Sequence, residues 1–421
     1  MSIAPVPGLR GLTAYHVPRH PAPIDLALHA NEGPPVPAAL FDSVRDPELA
    51  RRYPSAARLE AVLAQRLGIE PGRLRVTAGA DEALDRAFRA FVAPDDTVVL
   101  PSPTFVMLPH YARLAGAVVY APPWPAEVFP EAAVLDALES GDPKPRAVAL
   151  VSPNNPTGAV IPTDTLLRIA RAAPDVLMLV DFAYVEVAER DPTAEVLALP
   201  NTLVFRTLSK VWGLAGLRVG YVAGPAPLIA VLRAAGGPYS VASTSVQLAL
   251  AHLASGEHAM RAYVDEVRRE RGPLYERLAE HGLRPVRSEA NFVFARLPSE
   301  AAAFWLRDGL AALGIGIRIF PGEPGISDGA RITCPGDAAQ LTRLLDGIAA
   351  VMDPSRWSLV SGVEGVEAIR ATRARGEVPI ALGDPSAPAA HDLLAAGAAR
   401  VVRSADEREA IAVLIGKGSE R

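Results

Sequence analysis

Lysine is nearly absent from this 421-residue chain, so each position where it occurs is informative. Only Lys144, Lys210 and Lys417 are present, whereas arginine is abundant. Lys144 lies in a proline-rich turn and Lys417 in a charged tail, but Lys210 lies in the largely apolar segment 205–221. Lysine can become an amine nucleophile and arginine cannot, because a guanidinium keeps its proton. The position of Lys210 therefore indicates a chemical role, although an ordinary lysine in an arginine-rich composition explains it equally well.

A carboxylate, a hydroxyl and a guanidinium could act together with this amine. Asp181 follows four apolar residues, so burial favours pairing it with a protonated ring nitrogen or with a structural arginine. Ser209 precedes Lys210, and Arg218 follows it by eight residues. Hydroxyl and guanidinium groups are frequent partners of phosphate. These residue types fit an anionic ligand beside the lysine.

Two loops and two further arginines could complete such a site. Residues 78–82 (Ala-Gly-Ala-Asp-Glu) stand between a predicted strand and a predicted helix, where free N–H groups can hold a phosphate. An ordinary tight turn, with Asp81 as the N-cap of the helix, would have the same sequence pattern. Residues 152–158 (Ser-Pro-Asn-Asn-Pro-Thr-Gly) follow a strand. They form either a plain loop or a loop that presents a side-chain amide to a ligand oxygen. Arg318 and Arg331, on short apolar strands, are either surface residues or an anion site.

In combination, these groups match one ligand. A phosphate, a phenolic oxygen, a ring nitrogen and an aldehyde are the functional groups of pyridoxal 5′-phosphate. The combination predicts that Lys210 forms a Schiff base with the aldehyde and that Asp181 pairs with the pyridinium nitrogen.

The elements that must position these residues alternate along the chain. Compact apolar runs predict strands at 74–77, 97–100, 117–120, 147–151, 177–180, 203–205 and 219–222. Helical spacing separates them, for example at 58–67 and in the helix that residues 78–82 open and that continues through Phe91. Fully apolar runs are typical of strands buried on both faces, so the sequence predicts an α/β fold with a large, mostly parallel sheet. Loops at the carboxyl ends of such strands form the usual ligand crevice.

The length predicts more than one domain, because single cores usually split beyond roughly 250 residues. The predicted parts are an N-terminal arm (1–30), a large cofactor-binding domain (31–245), a smaller α+β domain (246–355) and an α/β extension (356–421). Residues 245–283 are predicted to be helical, with breaks at Gly256 and at Gly272-Pro273. The extension is predicted to be either a regulatory or docking module or a decoration packed on its own subunit.

Composition excludes several other classes of function. A net charge of −5 gives no reason to expect a nucleic-acid or anionic-membrane partner. No apolar window approaches the ~18 residues of a membrane span, and the first residues do not resemble a signal peptide. The one cysteine, Cys334, excludes an intramolecular disulfide and is expected to be a buried strand residue. The histidines show no metal-ligand spacing, so we expect a cytoplasmic protein without a metal site.

Over residues 9–352, the chain resembles the fold-type I pyridoxal-phosphate aminotransferases, most closely the histidinol-phosphate aminotransferase group. In order, the shared segments are Leu-His-Ala-Asn-Glu (28–32), Arg-Tyr-Pro (52–54), Ala-Gly-Ala-Asp-Glu (78–82), Asn-Pro-Thr-Gly (155–158), Asp-Phe-Ala-Tyr (181–184), Thr-Leu-Ser-Lys (207–210), Leu-Ala-Gly-Leu-Arg-Val-Gly (214–220), Pro-Tyr (238–239), Asn-Phe (291–292) and Arg-Ile-Thr (331–333). The lysine and Asn-Pro-Thr-Gly segments are the most specific. The resemblance implies transamination of histidinol phosphate, or of a similar amine or amino acid, with 2-oxoglutarate, in histidine and amino-acid biosynthesis.

The resemblance also implies a role for each matching residue. Lys210 would carry the cofactor and then shuttle the proton, and Asp181 would pair with the ring nitrogen. The remaining cofactor-binding residues would be Asn155 and Tyr184 at the ring oxygen, Phe105 stacked on the ring, and Ala80, Asp81, Ser209 and Arg218 at the phosphate. Tyr53 would reach in from a second subunit, which implies a homodimer with shared active sites. The residues at the anionic end of the substrate would be Tyr15, Asn31, Arg318 and Arg331.

Three departures from the family pattern lie near the substrate side. Phe182 stands where an acidic residue is usual, Phe105 replaces a tyrosine, and Gly33 interrupts the familiar Asn-Glu-Asn-Pro stretch. Other activities therefore stay open. They are transamination of an aromatic or specialised-metabolite amino acid, decarboxylation of a phospho-amino acid such as threonine phosphate, and a catalytically inactive protein that acts through its C-terminal extension.

Overall fold

The computed structural model describes residues 7–10, 20–361, 365–383, 385–386, 388–402 and 407–415. The chain divides into two compact units, the first formed by residues 1–14 and 32–265 and the second by residues 15–31 and 266–421. No helix in the described ranges is both long and apolar enough to cross a membrane.

The strands are, in chain order, β1 (Leu26–Ala27), β2 (Leu74–Thr77), β3 (Thr97–Val99), β4 (Val118–Tyr120), β5 (Ala147–Val151), β6 (Leu177–Asp181), β7 (Thr202–Thr207), β8 (Gly220–Ala223), β9 (Arg284–Val286), β10 (Phe292–Arg296), β11 (Ile315–Gly316), β12 (Arg318–Ile319), β13 (Gly329–Thr333), β14 (Trp357–Ser361), β15 (Val378–Leu382) and β16 (Arg400–Val402).

The α-helices are α1 (Glu48–Arg51), α2 (Ala57–Leu67), α3 (Gly79–Phe91), α4 (Met107–Leu114), α5 (Glu131–Ser140), α6 (Thr163–Ala172), α7 (Thr193–Leu197), α8 (Ala226–Ala234), α9 (Ser243–Ser255), α10 (Glu257–Glu280), α11 (Glu300–Ala312), α12 (Ala338–Val351), α13 (Gly365–Ala374), α14 (Pro388–Ala396) and α15 (Glu407–Leu414). Short 3-10 helices occur at Pro7–Leu9, Ala38–Val44, Pro71–Arg73, Val185–Val187, Ala215–Leu217 and Pro354–Arg356.

The first unit is built on a seven-stranded sheet in the order β2-β8-β7-β6-β5-β3-β4. Five of these strands run parallel to one another, in the order β7-β6-β5-β3-β4, whereas β8 runs antiparallel to both β2 and β7. Leu179, Phe205 and Val222 belong to a core cluster with Leu84 and Phe88 of α3. The predicted α/β fold with a large, mostly parallel sheet is confirmed.

One predicted helix break is confirmed and the other is wrong. Helix α9 ends at Ser255 and α10 begins at Glu257, so the chain does break at Gly256. Helix α10, however, continues through Pro273. A proline removes one backbone donor from the helix. The neighbouring Leu274 and Leu278 are fully buried, and this packing outweighs the missing hydrogen bond.

The second unit contains a four-stranded antiparallel sheet in the order β12-β13-β10-β9. Alternate residues of a strand point to opposite faces. One face carries the cluster of Val286, Phe294, Ile326 and Phe320. Helix α11 packs against β11, β12 and β13. Strands β1 and β11 form a separate parallel pair.

The extension forms a parallel three-stranded sheet within the second unit, in the order β14-β15-β16. Helices α13 and α14 pack against each other, and their side chains join those of the sheet in one core cluster. Helix α11 contacts β15 and α15 as well as the antiparallel sheet. Its sequence is correspondingly apolar, and Ala302, Trp305, Leu306, Leu310 and Ala312 are all buried. The described part of the extension therefore packs on α11 of the same chain.

Candidate active site

The predicted site residues of the first unit follow the carboxyl ends of its strands. Asp181 ends β6 and is level with Val151 of β5 and Phe205 of β7 in the sheet register. Lys210 follows the end of β7 by three residues. Because these strands are parallel, their carboxyl ends share one edge of the sheet. The sheet therefore collects the lysine, the aspartate and the Asn155 loop at that edge.

Asp181 is a buried carboxylate that requires a positive partner. Burial, with a smaller contribution from the nearby Asp81 carboxylate, raises its pKa to about 7. The backbone N–H of Ala183 donates to Oδ1 of Asp181 at 3.0 Å, and this hydrogen bond and the charge of Lys210 act in the opposite direction. A protonated ring nitrogen would stabilise the ionised carboxylate at this position.

The amine of Lys210 lies beside an aromatic ring. Its Nζ is 5.5 Å from the ring centroid of Tyr184, which is buried. A ring face attracts a cation and supplies an apolar wall. The lysine end is thus held next to the phenol that the resemblance assigns to the cofactor's ring oxygen.

Gly33, one of the departures from the family pattern, has a structural cause. A Cβ at Gly33 would lie 1.7 Å from the carbonyl oxygen of Lys210. On the other side of this contact, Gly213 has a φ of +65°, and a Cβ there would lie 2.0 Å from the carbonyl oxygen of Pro34. The two glycines let the backbone at 33–34 lie directly against the lysine loop, so a side chain cannot be accommodated at either position without a backbone shift.

The predicted phosphate-binding residues form a cluster at the start of α3. One guanidinium nitrogen of Arg218 donates to Asp81 at 3.0 Å, and the other donates to the hydroxyl of Ser209 at 3.4 Å. The hydroxyl of Thr207 donates to the same Ser209 oxygen at 2.9 Å. Gly79 has a φ of +82°, and a Cβ there would lie 2.6 Å from Arg218 Nη2. A helix N-terminus with an arginine and a serine beside it is a chemically suitable donor set for phosphate.

Asn154 connects the two loops that carry Phe105 and Asn155. Its Nδ2 donates to the carbonyl of Pro103 and to the hydroxyl of Thr157, both at 3.0 Å. Its Oδ1 accepts from the hydroxyl of Thr104 at 3.0 Å. The side chain is fully buried, so these bonds are shielded from water. This role could not be predicted from the sequence, because it depends on a contact between residues some fifty positions apart.

Tyr53, which is predicted to reach into the site of a second subunit, lies on the surface of the first unit. Its side chain is 81% exposed. Its ring stacks on that of Tyr239, with centroids 4.5 Å apart and planes at 16°. Tyr53 also borders a groove of about 310 Å³ lined by α1, the 52–58 segment and α9. An aromatic pair on the surface is available to a partner chain.

The predicted substrate-binding residues that the structure describes, Asn31, Arg318 and Arg331, belong to the second unit. Tyr15 lies outside the described residues. Arg318 and Arg331 are directly opposite each other on β12 and β13. Asn31 is buried, and its Oδ1 accepts from the hydroxyl of Thr333 at 2.9 Å. The structure thus brings the two arginines to one place on the sheet.

The rings around these arginines were not identified from the sequence. The Cζ of Arg331 lies 5.3 Å from the ring centroid of Phe292 and 6.0 Å from that of Phe320. The Cζ of Arg318 lies 5.7 Å from the centroid of Phe320. The i, i+2 spacing of Arg318 and Phe320, which directly follows β12, was the available signal, because residues at this spacing share a face in extended backbone.

Comparison with known proteins decides the family. The sequence profile of aminotransferase class I and II matches residues 26–348. The chain belongs to this aminotransferase family. The predicted pyridoxal-phosphate aminotransferase is therefore confirmed, and the donor set at the strand ends fits that cofactor.

Individual relatives of this aminotransferase agree over most of its length. A histidinol-phosphate aminotransferase of Paracoccus denitrificans is 32% identical over 363 residues, which is 83% of this chain and 96% of the relative. An aromatic amino acid aminotransferase of Corynebacterium efficiens is 35% identical over 342 residues, 77% of this chain and 93% of the relative.

Solved structures give the same fold. The histidinol-phosphate aminotransferase of Sinorhizobium meliloti, crystallised with pyridoxal-5′-phosphate, aligns with a TM-score of 0.73 at 24% identity, covering 82% of this chain and 97% of that one. The Thermus thermophilus aspartate aminotransferase with maleate aligns with a TM-score of 0.65 at 26% identity, covering 78% and 92%.

Proposed function

We propose that this aminotransferase transfers the amino group of histidinol phosphate to 2-oxoglutarate, as a step of histidine biosynthesis. The observation that carries this proposal is the direct opposition of Arg318 and Arg331 on neighbouring strands. Two guanidiniums at one place favour a substrate group with several anionic oxygens, such as a phosphate monoester. The histidinol-phosphate aminotransferases among the relatives support the same substrate.

The residues of the first unit would perform the amino transfer. Bound pyridoxal phosphate supplies an aldehyde that takes up the amino group and a ring that accepts electron density. Lys210 Nζ would take up the proton that leaves the substrate Cα and deliver it to C4′ of the cofactor. Asp181 would keep the ring nitrogen protonated, and Asn155 and Tyr184 would hold the ring oxygen. Phe105 would cover the ring face, while Ala80, Asp81, Ser209 and Arg218 would hold the phosphate.

We further propose that the enzyme is a cytoplasmic homodimer in which Tyr53 completes the partner's phosphate site. Its high exposure and its stacking on Tyr239 support a role outside its own subunit. Mixing the Tyr53→Ala and Lys210→Ala proteins tests this arrangement, because a hybrid dimer contains one site with both native residues. Activity regained on mixing supports shared sites, and two separately impaired proteins that stay impaired after subunit exchange refute them.

A panel of amino donors tests the substrate. With 2-oxoglutarate as acceptor, we expect kcat/KM for histidinol phosphate to exceed that for histidinol and for phenylalanine by at least about a hundredfold, since each of the two charged hydrogen-bonded pairs contributes roughly 1.5–3 kcal/mol. A preference for phenylalanine would instead establish the aromatic activity that the 35%-identical relative represents. Release of carbon dioxide from threonine phosphate would refute transamination as the main reaction.

A further inference from the structure

Phe320 contacts both arginines of the proposed substrate anion site. The ring centroid lies 5.7 Å from the Cζ of Arg318 and 6.0 Å from the Cζ of Arg331. Strand geometry explains this arrangement. Phe320 is two residues after Arg318, so the two side chains share a face, and the register places Arg331 on the strand opposite.

Such an arrangement has an electrostatic cost that the ring reduces. Like charges at directly opposite positions of antiparallel strands repel each other. A ring face attracts a guanidinium without carrying a formal negative charge. Unlike an ion pair with a carboxylate, a contact with a ring therefore does not neutralise the guanidinium.

The ring is itself held in place by packing. Phe294 contacts it edge to face, with centroids 6.1 Å apart and planes at 61°. Phe320 also packs against the buried cluster of Val286, Phe294 and Ile326. On the far side, Arg331 is fixed by a second ring, Phe292, and by its hydrogen bond to the carbonyl of His29 at 2.7 Å. A fixed ring limits the positions that the two guanidiniums can take.

We propose that Phe320 is a positioning residue that sets the spacing of Arg318 and Arg331 and thereby selects a phosphate monoester over a carboxylate or a neutral group. The inference rests on the proposed function of the two arginines. A dianionic phosphate offers three oxygens and can engage both guanidiniums at once, whereas a carboxylate satisfies one planar fork. Phe320 acts through the arginines and needs no contact with the substrate.

Steady-state kinetics of the holoenzyme with Phe320→Leu tests this role. We expect KM for histidinol phosphate to rise about tenfold, equivalent to ~1.4 kcal/mol, because two ring contacts are lost. The kcat should change by less than about twofold, and KM for unphosphorylated histidinol should stay constant. Phe320→Tyr keeps the ring and should retain the wild-type KM.

The chain provides a matched control in the same unit. Arg307 lies 4.7 Å from the ring centroid of Phe304 on α11, so Phe304→Leu also removes a ring from an arginine. This variant should leave both KM values unchanged. Equal increases in KM for histidinol phosphate and histidinol in Phe320→Leu, or an effect of Phe304→Leu as large as that of Phe320→Leu, would overturn the proposal.

Inhibition by inorganic phosphate separates this inference from the substrate assignment. At constant ionic strength, phosphate should inhibit the wild-type enzyme more strongly than acetate does, with whichever amino donor it uses. Phe320→Leu should raise the inhibition constant of phosphate about tenfold and leave that of acetate unchanged. If histidinol phosphate is not a substrate but this phosphate effect is found, the substrate assignment fails and the role of Phe320 stands. Equal inhibition of the wild-type enzyme by phosphate and acetate would overturn the role of Phe320.

Discussion

Trp305 and Trp357 donate to the same backbone oxygen. Each indole Nε1 lies 3.1 Å from the carbonyl of Val351, and the two rings meet edge to face with centroids 4.7 Å apart. Trp305 belongs to α11, which packs against the antiparallel sheet of the smaller α+β domain, whereas Trp357 is the first residue of β14 in the extension. Both side chains are almost fully buried. The extension is therefore joined to this domain by a packed and hydrogen-bonded contact.

Loss of this contact should destabilise the protein. Trp357→Ala removes a large buried ring, which typically costs 3–5 kcal/mol, so we expect the melting temperature to fall by several degrees. Val413→Ala, at an exposed position of α15, is the matched control and should change stability by less than about 0.5 kcal/mol. Thermal unfolding followed by circular dichroism measures both. An unchanged melting temperature in Trp357→Ala would show that the extension is not required for the stability of this domain.

Asp181 should oppose folding in the absence of cofactor. Burial raises its folded pKa to about 7, above that of an unfolded carboxyl group. Its ionisation therefore costs stability as pH rises from the unfolded to the folded pKa, and the full cost applies above about pH 7. Asp181→Asn should stabilise the cofactor-free protein by roughly 1–4 kcal/mol at pH 8, and by less towards pH 5.

The same substitution should impair the enzyme. Without the carboxylate, the ring nitrogen loses its stabilising charge, and we expect kcat to fall by at least about a hundredfold. Melting temperatures of the cofactor-free protein at pH 5 and pH 8, together with kcat of the holoenzyme, measure the two effects. A less stable cofactor-free Asp181→Asn protein at pH 8 with full activity would be inconsistent with this role.

Asn154 should affect cofactor binding through the two loops that it joins. Asn154→Ala removes three buried side-chain hydrogen bonds, so the loops of Phe105 and Asn155 lose their connection. We expect the dissociation constant of pyridoxal phosphate to rise about tenfold, which corresponds to ~1.4 kcal/mol. Fluorescence titration of the cofactor-free protein measures it.

Asn201 provides the control for this prediction. Its Nδ2 donates to the carbonyls of Ala170, Ala173 and Val176, and it precedes β7 at the edge of the sheet away from Lys210. Asn201→Ala should lower the melting temperature and leave the affinity for pyridoxal phosphate unchanged. If both variants weakened cofactor binding equally, the effect of Asn154 would be one of general stability.

Of the two lysines that the structure describes, Lys144 and Lys210, only Lys210 should be required for the visible absorbance of bound pyridoxal phosphate. Lys210→Ala should abolish the absorbance band of lysine-bound cofactor and lower kcat by at least about a hundredfold, because both the amine and the proton carrier are lost. Lys210→Arg should behave in the same way, since a guanidinium keeps its proton. Lys144→Ala, at an exposed turn, should keep the band. A normal band in Lys210→Ala would assign the cofactor to another amine.

Much of the first unit could be predicted from the sequence, because its strands and helices depend on patterns of residues that are close together in the chain. Apolar runs predicted β5 and β2 at their observed bounds, and the helical spacing that follows residues 78–82 predicted α3. A carboxylate directly after such a run predicted Asp181 as a site residue, and the scarcity of lysine predicted Lys210. In a parallel sheet, the ends of strands must share an edge, so the general location of the site followed.

Other features could not be predicted, because they depend on contacts between distant residues. The opposition of Arg318 and Arg331 requires the register of two strands. The neighbouring short strands β11 and β12 also pair with different partners. The contact of Gly33 with Lys210 depends on how two segments some 180 positions apart approach each other. The apolar sequence of α11 indicated burial but not the second sheet that covers it.

The proposal that Arg318 and Arg331 bind the substrate's phosphate is tested most directly by measuring how strongly the enzyme distinguishes histidinol phosphate from histidinol. In the wild type and in Arg318→Gln and Arg331→Gln, the ratio of kcat/KM for the two donors isolates the contribution of the phosphate. Arg284→Gln, on the edge strand β9 of the same sheet, is the control. We predict that each of the first two substitutions lowers the ratio about 10- to 100-fold and that the control leaves it unchanged. A ratio that stays at the wild-type value in both Arg318→Gln and Arg331→Gln would contradict the proposal that these residues bind the substrate's phosphate.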